Sequence, residues 1–192
     1  NTVGTNLVTV VMKDNGGVIG GGVDSVTNTF TIVVTAVNDP AYFTGITSKT
    51  ILEDATVNNT AVVNVIDPDT DNTNVAVTVS SSDTNLVAVS ITATNRIGLT
   101  NSALTLTFTP VTNANGSATI TLIANDGALN TTNSFLLTVT PVNDPPDFTV
   151  STNLVLVAED AGLVTNVNFL TGLSAGPTNE DNQTWTFTVK SE

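Results

Sequence analysis

Two stretches of this 192-residue sequence are near-copies of each other: TFTIVVTAVNDPAYF at residues 29–43 and SFLLTVTPVNDPPDF at residues 134–148. In each, a run that alternates apolar residues with Thr leads into Val-Asn-Asp-Pro and closes on Phe. Alternation with a period of two specifies a strand with one buried face. Asn38 and Asn143 stand 105 positions apart, which is the length of one β-sandwich domain. A chain that repeats itself at this interval is constrained to a row of similar β modules.

The correspondence continues beyond the Phe. ILEDA, with Glu53 and Asp54, matches VAEDA, with Glu159 and Asp160, after a single inserted residue. Upstream, VMKDNGG around Asp14 matches IANDGA around Asp126, and each reads as the turn of a hairpin. The first hairpin is seven residues longer, and its GGVIGGGVD reads as a flexible tip. The sequence therefore parses into the C-terminal part of one repeat at 1–40, a complete repeat at 41–145, and the N-terminal part of a third at 146–192. Opening on Asn1 and closing inside a repeat, it reads as a piece of a longer protein. Within the complete repeat, strands are expected at 48–52, 60–66, 74–80, 86–92, 103–109, 117–124 and 133–140. Seven strands about ten residues apart predict an all-β fold of tandem immunoglobulin-like sandwiches. The leading part should add strands at 6–13 and 29–37, and the trailing part about three more.

Composition narrows the function. An apolar content of 40% is enough to bury cores, while the absence of His and Cys removes the usual nucleophilic triads, thiolate or imidazole zinc sites and disulfides. Four Lys and Arg against 17 Asp and Glu give a net charge of −13, which repels nucleic acid and anionic lipid and favours cations. No apolar run approaches the length of a membrane span. Paired carboxylates of a glycosidase would require an aromatic-lined cleft, and the chain has one Trp and one Tyr. The expectation is a protein that is not an enzyme.

The succession of Glu53 in ILED, VIDPDTD at 65–71, IANDGA at 123–128 and LTVTPVNDPPDF at 137–148 resembles the cadherin repeat. It is more similar still to the bacterial cadherin-like and immunoglobulin-like tandem repeats of large secreted or cell-surface proteins. In cadherin repeats such acidic motifs meet at the junction between consecutive domains, where they bind calcium and stiffen a rod. The resemblance implies a first junction built from Asn38, Asp39, Asp67, Asp69 and Asp126, and a second from Glu53, Asn143 and Asp144. Calcium suits such sets because it takes six to eight oxygens from separate segments. The sequence also departs from the cadherin pattern. Ala36 and Pro141 stand where the linker motif begins with Asp, and no Asp-x-Asp follows Glu159, leaving only Glu180 and Asp181 of NEDNQ much later. The second junction is thus expected to be the weaker calcium site.

The same residues admit plainer roles. Asn-Asp-Pro makes a linker turn without any ion, DPDTD serves as a solvated acidic loop, and Glu53 with Asp54 can charge a sheet edge against unwanted pairing. Trp185, in QTWTFTV, is expected in a core, with a glycan-binding platform as the alternative. Sequons at Asn58, Asn115, Asn130 and Asn182 permit glycosylation of an exported surface. The leading and trailing parts cannot each close a core, so each is completed either within a longer tandem array or by another copy of the chain, the array being favoured. The expected function is a non-catalytic structural module of an extracellular rod or filament whose partners are neighbouring copies. An adhesin module that binds a glycan or a surface protein is the alternative.

Overall fold

The computed structural model describes residues 2–56, 59–69, 71, 74–97 and 101–190, apart from the side chains of 96, 97 and 101. The chain is all-β. Strands β1 (Gly4–Lys13) and β2 (Ser25–Val34) form an antiparallel hairpin that, among the described residues, joins no other sheet. Eight strands follow: β3 (Tyr42–Thr44), β4 (Lys49–Leu52), β5 (Thr60–Ile66), β6 (Ala76–Ser81), β7 (Val87–Ile97), β8 (Asn101–Pro110), β9 (Gly116–Asn125) and β10 (Asn130–Thr140). They make two four-stranded sheets, ordered β4-β10-β9-β6 and β3-β5-β8-β7. Last come β11 (Asp147–Val150) and β12 (Leu170–Ser174), paired antiparallel, and a 3-10 turn over Thr178–Glu180, the counterpart in kind of one at Ile19–Gly21.

The two larger sheets face each other because alternation gives each strand one apolar side. Val63 and Val65 of β5 and Leu104, Leu106 and Phe108 of β8 meet Ile120 and Leu122 of β9 and Phe135, Leu137 and Val139 of β10 in one buried cluster. Thr and Ser fill the alternate positions, with Thr78 and Ser80 of β6 and Thr119 of β9 exposed. Phe108 meets Phe135 edge-on, their ring centres 6.1 Å apart, and so pins one sheet to the other. All pairings within the two sheets are antiparallel except β4 with β10, which is parallel and sets Ile51 beside Val139. That pairing ends with the Glu53 N–H donating to the Thr140 carbonyl at 2.9 Å, which delivers Glu53 to the end of the sandwich.

All seven strands expected in the complete repeat are present, and the short β3 adds an eighth. Its Phe43, which closes the first Asn-Asp-Pro stretch as Phe148 closes the second, pairs with Val65 of β5 and is buried. The expected leading strands are β1 and β2. The trailing part differs from expectation, with two strands among its described residues rather than three. Residues 182–190, which carry Trp185, form no strand. Trp185 is therefore not a core residue but 44% exposed, because no neighbouring strand lies against it. Phe148, expected to plug the following core, is likewise exposed and rests edge-on against Phe187 at 5.8 Å. Of the sequons, Asn115, Asn130 and Asn182 are exposed, and Asn58 lies outside the described residues.

The contrast between the sandwich and the hairpin is directly measurable. Leu122→Ala, at a position with no exposed surface, is expected to destabilise the sandwich by about 2–5 kcal/mol. Val10→Ala, on the exposed β1, should change it by less than about 0.5 kcal/mol. Guanidinium denaturation of the two variants at low protein concentration compares them.

Candidate metal centre

Acidic side chains gather at two places, each where an Asn-Asp-Pro leaves a strand. At the first, the Asp39 N–H donates to Asp69 Oδ2 at 3.0 Å, and the Asp69 N–H donates to Asp67 Oδ1 at 3.1 Å. Asn38 reaches the other side of the group, its Nδ2 donating to Asp126 Oδ2 at 3.0 Å. All five residues expected at this junction thus belong to two short hydrogen-bonded chains that start from neighbouring residues. Asp67 is fully buried, and Asp69 Oδ1 is buried with no hydrogen-bond partner. The Asp126 carboxyl is held below its usual value, first by the Leu129 N–H, then by Asn38 and by the Ala128 N–H. Those two backbone donors come from the hairpin turn itself, at 2.7 and 2.8 Å, which orients the carboxylate.

The second place, expected to be the weaker, is where carboxylates converge most tightly. Among the described residues, ligand oxygens of Glu53, Asp54 and Asp144 lie within 4.8 Å of one another, and no other such acidic group is found. Glu53 is only 1% exposed. Its Oε1 accepts two hydrogen bonds, from the Val142 N–H and from Asn179 Nδ2, both at 2.9 Å. The other oxygen, Oε2, has no partner. Asp54 follows in the left-handed conformation at φ 57°, which Asp tolerates better than most residues, and its Oδ1 accepts the Asn113 N–H at 3.1 Å. The turn therefore presents two consecutive carboxylates to one spot instead of to opposite faces of a strand.

The third wall comes from the trailing segment. The Asp144 N–H donates to Glu180 Oε1 at 2.9 Å, the counterpart of the Asp39–Asp69 bond. Glu180 thus does what Asp69 does, from a loop that is longer by several residues and with a side chain longer by one methylene. Asn143 folds its amide back onto the Asp144 carbonyl at 3.0 Å, as Asn38 does onto that of Asp39 at 3.3 Å. It shapes the turn and makes no hydrogen bond to the acidic group. Buried oxygens without a hydrogen-bond partner accumulate here: Glu53 Oε2, Asp144 Oδ2, Asn179 Oδ1 and Glu180 Oε2. Asp144 is pushed above its usual value, chiefly by loss of water and then by the charges of Asp54, Glu180 and Glu53.

Sequence reading placed Glu53 and Asp144 together but missed Asp54, Asn179 and Glu180 as members of the group. The missed signal was positional. Asp67 and Asp69 follow β5 and Glu180 follows β12, the strand that pairs with β11 as β5 pairs with β3. Four acceptors facing one another can bind a hard cation. Gly176 keeps the space open, since a Cβ there would overlap the Glu180 carboxylate.

No family model matches this chain, and no curated protein does either. Among solved structures it is similar to domains 4 and 5 of the S-layer protein SbsC. The two share 25% identity over 71% of this chain and 58% of that one, with a TM-score of 0.38. It is also similar to the fragment comprising domains 4–9 of the same protein, at 22% identity over 79% of this chain and 20% of that chain, with a TM-score of 0.39. The chain thus spans a little over half of the shorter fragment and about a fifth of the longer.

The two shifted carboxyls predict opposite pH behaviour in protein free of divalent cations. Asp126, lowered from 3.8, contributes stability that is present above 3.8 and is lost as pH falls through its folded value. Asp144, raised from 3.8, contributes stability that is present below 3.8 and is lost as pH rises through its folded value. Mild acidification should therefore slow amide exchange at Asp144, corrected for the intrinsic rate, and leave Asp39 unchanged until the pH drops below 3.8. Gly176→Ala should move the Asp144 carboxyl back towards 3.8 by displacing Glu180, which an NMR titration of its side chain measures.

Proposed function

We propose that this chain is a non-catalytic structural module, repeated in tandem in a rod outside the cell or on its surface, whose junctions are fixed by calcium. In this reading residues 1–40, 41–145 and 146–192 are the parts of three consecutive modules, and the partners of each are its neighbours in the row. The observation that carries it is the group at Asp144, where four buried acceptor oxygens from two sides of a linker have no hydrogen-bond partner. Carboxylates crowded together out of water, each with an oxygen left unpaired by the protein, are stabilised when a cation joins them. Calcium fits because its ligands are all oxygens, several in number and of mixed carboxylate and amide character.

Glu53, Asp54, Asp144, Asn179 and Glu180 would hold an ion at the second junction. Asn38, Asp39, Asp67, Asp69 and Asp126 would hold one at the first. Each ion would tie the end of one sandwich, the linker and the start of the next, so that neighbouring modules cannot fold back on one another. Sites of about 10⁻⁴–10⁻³ M affinity are typical of extracellular modules, and calcium at that level is found outside cells. Neutralising part of the −13 charge would also relieve the self-repulsion of the chain. Nucleic acid is an unsuitable partner for the same charge. Among the described residues no helix is long and apolar enough to cross a membrane.

Calcium added to about a hundred times its dissociation constant should stabilise the junction by about 2.7 kcal/mol. Thermal melts followed by the single tryptophan, Trp185, compare calcium with chelator. The shift should be largely lost in Glu53→Gln, which keeps the shape but not the charge, and halved or more in Asp67→Ala when the melt is followed at the first junction. Equal melting temperatures with calcium and with chelator would leave Asn-Asp-Pro as a turn and nothing more.

A further inference from the structure

The hairpin β1–β2 is a register-matched copy of β9–β10. Lys13 pairs with Ser25 as Asn125 pairs with Asn130, and Val8 pairs with Phe30 as Ile120 pairs with Phe135. In the sandwich this face is closed: Ile120, Leu122, Phe135 and Leu137 are at most 7% exposed. On the hairpin the counterparts Val10, Phe30 and Ile32 are about half exposed. Both hairpin edges are also open, whereas β10 pairs on its outer edge with β4 and β9 on its outer edge with β6.

Segments matching β4 and β6 exist elsewhere in the chain without partners. Residues 155–157 match β4, placing Val155 and Val157 at the positions of Lys49 and Ile51, two residues ahead of the shared Glu-Asp. Residues 184–189, TWTFTV, match NVAVTV at 74–79, placing Trp185, Phe187 and Val189 at the positions of Val75, Val77 and Val79. Neither segment forms a strand, and Val155, Val157, Trp185, Phe187 and Val189 are all exposed. Trp185 and Phe187 line a cleft with Phe148 and Leu173.

We propose that the β1–β2 hairpin of one copy inserts between residues 155–157 and 185–189 of a second copy. The occupant follows from the chain itself, which shows how a hairpin of this register is seated. By the pairing of β10 with β4, Ile32 comes to lie beside Val155 and Val34 beside Val157. By the pairing of β9 with β6, Met12 comes to lie beside Phe187 and Val10 beside Val189. The insertion completes one four-stranded sheet and sets it over β11–β12, so six of the eight strand positions are filled. New main-chain hydrogen bonds form along both open edges, as in strand addition generally. Because donor and acceptor lie on different surfaces of the molecule, the contact does not close on itself and extends as a row. The inference extends the module reading of the chain, but it involves no acidic side chain and its test is run in chelator, so it fails or succeeds independently of calcium.

The chain has no cysteine, so single cysteines can be placed freely. A Met12→Cys chain carrying an affinity tag is mixed with an untagged Phe187→Cys chain and oxidised with copper phenanthroline. The expected product is a mixed disulfide dimer, at least tenfold above that from Val11→Cys with Phe187→Cys, since Val11 lies on the opposite face of β1. Phe30→Asp, on the exposed face, should abolish both this product and concentration-dependent association in sedimentation velocity, with the circular dichroism of the sandwich unchanged. Equal yields for the two pairs would overturn the proposal. So would a monomer at all concentrations whose Trp185→Ala variant loses a glycan-array signal, which would make the same face a carbohydrate platform.

Discussion

The structure of this chain turns on a buried carboxylate. Glu53 leaves the sandwich at the last rung of the β4–β10 pairing and is sealed from water, with one oxygen anchored by two N–H donors. One donor belongs to the linker, at Val142, and the other to the trailing segment, at Asn179. A single side chain thus fastens three parts of the sequence. Leaving its second oxygen without a partner costs several kcal/mol unless something outside the protein supplies it, and each neighbouring acid raises that cost. The convergence of Asp54 and Asp144 on Glu53, with Glu180 bonded to the Asp144 N–H, suits the cation proposed for this group.

The two junctions reach the same arrangement by different residues. Asp69 at one and Glu180 at the other accept the backbone N–H of the Asp in Asn-Asp-Pro. The loop ahead of Glu180 is longer, and its Ala-Gly-Pro passes close enough to the carboxylate that a side chain at Gly176 would push it aside. What recurs is the location of an oxygen at the end of a strand, not the spacing of a motif. A rod made of such modules would be tolerant of sequence drift in its loops while keeping every junction alike.

This is also why the fold was more legible than the site. Seven strands of the sandwich lie where alternation of Val, Leu and Ile with Thr placed them, since that pattern is itself the cause of the buried face. Asn38, Asp39, Asp67, Asp69 and Asp126 could be grouped because each stands in a short motif. Glu180 could not, because only the pairing of β12 with β11 brings its loop to Asp144, and long-range pairing leaves no local trace. Asp54 was read with Glu53 as a charge on a sheet edge, whereas a left-handed turn at φ 57° brings its carboxylate to the group at Asp144. Trp185 was misread for a related reason: alternation marks residues 184–189 as strand-like, but a strand requires an edge to pair with, and among the described residues none is paired with this segment.

In the proposed reading a row of sandwiches gives length and stiffness, and the exposed hairpin and its matching segments offer a way for such rows to continue. The proposed stiffness rests on the group at Asp144, while the hairpin contact involves no acidic side chain. Equilibrium dialysis at millimolar free calcium counts the ions held by the chain and by its Glu53→Gln, Glu180→Gln double variant. The account predicts that the double substitution removes one ion while the sandwich stays folded, and equal counts in the two proteins would contradict it.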